Sequence, residues 1–149
     1  MSDRALRLII GVLALAGLAI AAYLTYVHYA GIKPLCLSSG GCETVQASRY
    51  AKLGGVPVAT MGLGGYALIA ASVVSCTETA RLIGAGSALV GLGFSAYLTY
   101  RELFTIDAIC QWCVASAVIM TLLALLTTWR LLQVEGGGTR PAPEVAARA

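Results

Sequence analysis

Stretches without Asp, Glu, Lys, Arg or His alternate along the chain with short polar segments, and four of them are long: Leu8 to Val27, Val56 to Cys76, Leu82 to Tyr100 and Ile109 to Trp129. Each holds 19 to 21 residues, close to the ~20 that a helix needs to cross a hydrocarbon core of roughly 30 Å. In lipid, backbone N–H and C=O groups must be paired within the segment, so the four stretches predict four transmembrane helices. Pro57 falls at the start of the second stretch, where a missing N–H leaves no gap in a helical ladder. The interior glycines (Gly62, Gly64, Gly65, Gly84, Gly86, Gly91, Gly93) would weaken a water-facing helix, but in a bundle they let helices approach closely. Arg4 and Arg7, followed by an apolar run and by Ala19, Ala21 and Ala22, also resemble a cleavable signal peptide. The run is a full span long, which favours a retained first span.

Composition agrees with this pattern. The 149 residues are 58% hydrophobic and 11% charged, with a mean hydropathy of +0.82. A soluble domain of this size carries about 25% charged residues, so lipid must be much of this chain's solvent. The net charge of +3 and the lack of a dense basic patch argue against a nucleic-acid partner.

Four spans put both termini on one side with Arg4, Arg7, Arg81, Arg130, Arg140 and Arg148; Lys33, Arg49, Lys52 and Arg101 fall on the other. Basic residues mark the cytoplasmic side. The loop from His28 to Gly55 and the link from Arg101 to Ala108 are therefore expected to face outward. Tyr26, Tyr29, Tyr100 and Trp112 fall near the outer boundary and Trp129 near the inner one, as interfacial aromatics do. The fold class predicted is an all-α integral membrane protein, a four-helix bundle whose outer loop carries a short surface helix from Glu43 to Leu53. The bundle domain ends near residue 132, and residues 133–149, rich in Gly, Pro and Ala beyond Glu135, are expected to be a disordered cytoplasmic tail.

An internal repeat relates the two halves. Gly17 to Tyr26 reads GLAIAAYLTY and Gly91 to Tyr100 reads GLGFSAYLTY, matching at seven of ten positions. Ten residues after each closing tyrosine stands a cysteine, Cys36 or Cys110. Two similar hairpins related by an axis along the membrane normal are the expected arrangement.

The cysteines sort by side. Cys36 and Cys42 form C-x5-C in the long outer loop, Cys110 and Cys113 form C-x-x-C where the fourth span begins, and Cys76 stands alone at the inner end of the second span. Disulfides persist outside the cytosol. A helix start stabilises a thiolate, and the glycine- and serine-rich backbone between Cys36 and Cys42 suits a pair that must move between partners. Two structural staples and a four-cysteine zinc site compete with this reading. Exchange between the pairs is preferred because one pair opens a span rather than lying in a water-exposed loop. Cys113 is expected to face the bundle interior, where an apolar pocket beside a thiolate suits a lipid-soluble two-electron acceptor, a quinone. No predicted span holds an ionisable group other than Cys and Tyr, which argues against proton or ion transport. His28 reads as an interfacial residue, Glu43 as a helix-start carboxylate and Cys76 as inert.

These features together resemble the vitamin K epoxide reductase (VKOR) family in its bacterial form. The resemblance rests on four charge-free spans, C-x5-C in the first outer loop, Ser48 six residues after Cys42, and C-x-x-C opening the fourth span; it covers about Leu8 to Trp129. It implies a quinone-dependent oxidoreductase of the bacterial cytoplasmic membrane, in which Cys36 forms a mixed disulfide with a periplasmic thioredoxin-like (DsbA-like) protein, Cys42 attacks Cys110, and Cys113 passes electrons to ubiquinone or menaquinone. Ser48 would lie near the quinone, and Met61 and Tyr66 are candidates for lining its pocket. Ala117 stands where vertebrate-type members carry a tyrosine, so the resemblance implies quinone reduction and does not extend to epoxide reduction. The chain carries no fused thioredoxin-like domain, so the expected partner is a separate protein. The competing class is a non-catalytic four-span protein, a small transporter or scaffold, with structural outer disulfides.

Overall fold

The computed structural model describes residues 2–37 and 41–138, the last five as backbone only. Its elements are α1 (Asp3–Ala30), α2 (Gly41–Ala47), a 3-10 turn (Arg49–Ala51), strands β1 (Lys52–Leu53) and β2 (Val56–Pro57), α3 (Val58–Val74), α4 (Glu78–Arg101), a π-helical turn (Glu102–Ile106) and α5 (Gln111–Gly138). Helices α1, α3, α4 and α5 form an up-and-down bundle in which α1 packs on α3 and α5, and α4 packs on the same two. α1, α4 with its π turn, and α5 are each long and apolar enough to span a membrane. α3 is the short member, 17 residues or about 26 Å.

Local chemistry sets the helix ends. The Ser2 hydroxyl accepts from the N–H of Ala5, and Gly31 closes α1 in the left-handed region at φ 65°, its N–H bonding to His28. Only a residue without Cβ takes that conformation at no cost. Thr77 caps α4 through the N–H of Ala80. α3 ends without a side-chain cap of its own. Arg7 of α1 reaches across instead, donating to the carbonyls of Val73 and Val74 and so satisfying acceptors that a helix end leaves orphaned.

The buried residues of α1 (Leu6, Ile10, Ala14, Gly17, Ala21, Leu24, Val27) follow one another at intervals of three or four, a single stripe turned into the bundle. In the half of the bundle away from the cysteine pairs, this stripe packs with Ile69, Ala88, Leu123 and Ala124 into a continuous core. Two glycines of the repeat serve the same purpose: a Cβ at Gly17 would collide with the ring of Tyr66 on α3, and one at Gly91 with Met120 on α5. Each half-repeat thus seats a large side chain of the helix that follows it. Gly84 likewise makes room for Ser72, whereas a Cβ at Gly64, Gly65, Gly86 or Gly93 would meet nothing within 4 Å, so close packing is not their reason.

Three expectations change. The surface helix stops at Ala47, because the Ser48 hydroxyl turns back to the carbonyl of Val45 and the chain passes through a 3-10 turn into a two-residue hairpin. α4 does not end at Tyr100: it continues into the π turn, and Asp107 at φ 52° ends it. α5 runs on to Gly138, past the expected end at Trp129; residues 139–149 of the expected tail lie outside the described residues.

Candidate active site

Two short segments bring the four cysteines together. The N-terminus of α2 carries Cys42 against the linker that precedes α5, so closely that a Cβ at Gly41 would strike the carbonyl of Ile109. Cys36, Cys42, Cys110 and Cys113 then share one buried cluster with Val45, Ile106, Ala108 and Trp112. Cys76 lies at the opposite end of the bundle, where Arg7 donates to its sulfur at 3.1 Å.

The cluster has a gradient of access. Cys36 is half-buried, Cys42 and Cys110 are fully buried, and Cys113, at the inner edge, lines a cavity. Cys36 and Cys42 are joined as a disulfide with Cα atoms 6.2 Å apart, while Cys110 and Cys113 are thiols. Cys110, in the linker just outside α5, is pushed down to about 7 because the neighbouring Cys113 thiol hydrogen-bonds to its sulfur, an effect that burial opposes. A thiolate is therefore accessible at Cys110 near neutrality, as exchange requires.

The residues between Cys110 and Cys113 hold the segment around Cys36. The indole N–H of Trp112 donates to the carbonyl of Leu35 at 2.7 Å, and the side-chain oxygen of Gln111 accepts from the N–H of Leu37 at 3.2 Å. The Tyr23 hydroxyl accepts from the N–H of Leu35 at 2.9 Å, with its ring 5.2 Å from that of Trp112. Trp112 thus clamps the segment around Cys36 while staying half-exposed at the start of α5. The equivalent repeat tyrosine, Tyr97, lies under the guanidinium of Arg101. Glu43 pairs with Lys33 at 3.0 Å on the surface, away from the sulfurs' inner edge.

Below the sulfurs the bundle opens into a cavity of about 520 Å³, within the range of small-molecule sites. Ser48, Met61, Tyr66 and Cys113 all line it. The two repeats contribute matching positions from opposite sides, Ile20, Ala21 and Leu24 from α1 against Phe94, Ser95 and Leu98 from α4. The Tyr66 hydroxyl bridges to Ser116 of α5, 2.8 Å from its hydroxyl and 3.0 Å from its carbonyl. The lining is mostly apolar with a few polar groups at the sulfur end, including Gln46, whose amide donates to Cys113 at 4.0 Å. This fits a largely apolar molecule with a few polar groups.

One lining residue is missed when the sequence is read alone. Glu102, expected in an outward link, is only 5% exposed and accepts the backbone N–H of Cys110 at 3.2 Å. The π turn carries it inward; the sequence offers only two acids, Glu102 and Asp107, between a span and the C-x-x-C motif. No group of three or more metal-ligating side chains occurs among the described residues.

A half-exposed disulfide stacked over a buried sulfur pair, beside an apolar cavity in a bundle of spanning helices, defines a membrane thiol oxidoreductase. The chain belongs to the vitamin K epoxide reductase family, whose family model matches residues 8–128.

Proposed function

We propose that the chain takes electron pairs from a separate thioredoxin-like (DsbA-like) protein through Cys36/Cys42, then Cys110/Cys113, to membrane quinone, and so generates disulfides in secreted proteins. The gradient of access carries this reading: the sulfur most open to a soluble partner and the sulfur facing the cavity stand at opposite ends of one contiguous cluster. In the cycle, a partner thiolate attacks Cys36 and Cys42 leaves as a thiolate. Cys42 attacks Cys110, releasing Cys113. The partner's second thiolate then displaces Cys36 and the partner departs oxidised. Cys36 attacks Cys42, which restores the outer disulfide and frees Cys110. The resulting state has the outer pair joined and the inner pair as thiols, ready to reduce the acceptor.

Closing the Cys110–Cys113 disulfide gives up two electrons and two protons, and a quinone held in the cavity, ubiquinone or menaquinone, would supply the acceptor for them. The cavity's size and apolar lining support this assignment, with Ser48, Met61 and Tyr66 as contact residues. Counted along the sequence, six basic residues on the side of the termini against four on the other support a bacterial cytoplasmic membrane with the cysteine pairs outward.

The test is Cys110→Ala. It should stop quinone reduction and accumulate a mixed disulfide between Cys36 and the partner. If Cys110→Ala and Cys113→Ala leave partner oxidation unchanged, the outer disulfides are structural staples and the relay is wrong.

A further inference from the structure

Glu102 is the sole acidic side chain lining the cavity among the described residues, and it occupies the junction between the inner cysteines and that space. Its carboxyl oxygen accepts from the N–H of Cys110 at 3.2 Å, and the Cys113 thiol lies within hydrogen-bonding reach of the same carboxyl. A buried carboxyl is costly unless it is paired, so its place at this junction calls for a reason. One backbone N–H uses only part of its accepting capacity, which leaves the remainder for the thiol and for whatever fills the cavity. Two other polar groups nearby are poorly suited to carry a proton. Arg101, whose guanidinium lies over the rings of Tyr50 and Tyr97, does not deprotonate. The Tyr66 hydroxyl is engaged with Ser116.

We propose that Glu102 is a catalytic proton carrier, taking the Cys113 thiol proton as the inner disulfide closes and delivering it to a carbonyl oxygen of the acceptor. The proposal rests on the quinone reading above. The step balances: a sulfur–sulfur bond forms between Cys110 and Cys113, two electrons pass to the acceptor, and two O–H bonds form on it. One proton travels through Glu102, which is regenerated. The other comes from the Cys110 thiol, or from water at the outer face when that thiol is already ionised.

The experiment compares wild type with E102Q, which keeps an acceptor for the Cys110 N–H but cannot carry a proton, and with E102D. Quinone-reduction kinetics are expected to show kcat at least tenfold lower in E102Q with the KM for quinone within threefold, and E102D restoring part of kcat. A second measurement needs no quinone: the infrared difference spectrum between the dithiol and disulfide forms should contain a carboxyl band that is missing in E102Q. Wild-type kcat in E102Q, or no carboxyl band in the wild-type spectrum, overturns the proposal. If wild type shows the band but reduces no quinone, the acceptor assignment fails and delivery to quinone fails with it. Should E102Q not fold, E102D decides: a kcat equal to wild type with an unshifted carboxyl band overturns the proposal, and a lowered kcat with a shifted band supports it.

Discussion

The indole N–H of Trp112 donates to the carbonyl of Leu35 at 2.7 Å, so a residue lying between the inner cysteines holds the neighbour of the outer one. Gln111 grips the other neighbour, Leu37. The C-x-x-C motif therefore does more than supply two sulfurs, because its middle residues position the disulfide with which it must exchange.

Replacing Trp112 by Phe should keep much of the ring contact with Tyr23 and lose the hydrogen bond. One neutral hydrogen bond contributes about 1 kcal/mol, or roughly fivefold in rate if it is fully expressed in the exchange step. Stopped-flow measurement of partner oxidation should show that drop. Direct reduction of quinone by a small dithiol acting at Cys110 and Cys113 should be nearly unchanged. Equal losses in both assays would mean that Trp112 supports the inner pair rather than the loop.

Gly41 makes a sharper demand. A methyl group there meets the carbonyl of Ile109, a backbone atom that cannot swing aside, so Gly41→Ala must push α2 away from the linker that carries Cys110. Transfer between Cys42 and Cys110 should fall at least tenfold, while the four-helix bundle, whose core lies elsewhere, keeps its melting temperature within a few degrees. The yield of the Cys42–Cys110 disulfide trapped in a Cys36→Ala, Cys113→Ala background measures this directly.

How much of this is legible in the chain follows from what each feature depends on. The four spans depend only on the absence of charge over ~20 residues, and the sorting of cysteines by side depends on counting spans, so both can be read from the residues. The repeat predicts that Cys36 and Cys110 reach one place, and they share one cluster. Glu102 cannot be read. Its inward turn depends on α4 adding a π turn after Tyr100, a local change of helix winding with no compositional signature, and counting charges assigns the residue to water. The roles of Gln111 and Trp112 are also hidden, since they emerge only when a loop 74 to 77 residues distant is laid against them.

Cys110 gives a pH prediction. Its thiol titrates at about 7 because the Cys113 S–H bonds to the thiolate form, against about 8.5 for an ordinary cysteine. The thiolate fraction should therefore rise as pH climbs through about 7 and fall away below it. In a chain with Cys36, Cys42 and Cys76 replaced by serine, ultraviolet absorbance of the thiolate should follow that midpoint. Adding Cys113→Ala removes the largest lowering influence and leaves burial and the Glu102 charge opposed only by the backbone N–H groups of residues 112 and 113, so the midpoint should move up. A midpoint that stays near neutrality would assign the lowered value to the helix start instead.

At the far end of the bundle, Arg7 and Cys76 separate a structural contact from a chemical one. Arg7 donates to the carbonyls of Val73 and Val74 and to the Cys76 sulfur, and without it the last turn of α3 has no side-chain partner among the described residues. Arg7→Met keeps the stem and removes those donors. It should lower stability by about 1–3 kcal/mol, the cost of leaving partly buried acceptors unmet, with the rate per folded molecule unchanged. Cys76→Ser keeps a small acceptor for the guanidinium, so its effect should stay within about 0.5 kcal/mol and leave quinone reduction at the wild-type rate. Thermal melting in detergent and the quinone assay together check both variants. A large loss of activity in Cys76→Ser would place that thiol in the electron path and overturn the separation of the two ends.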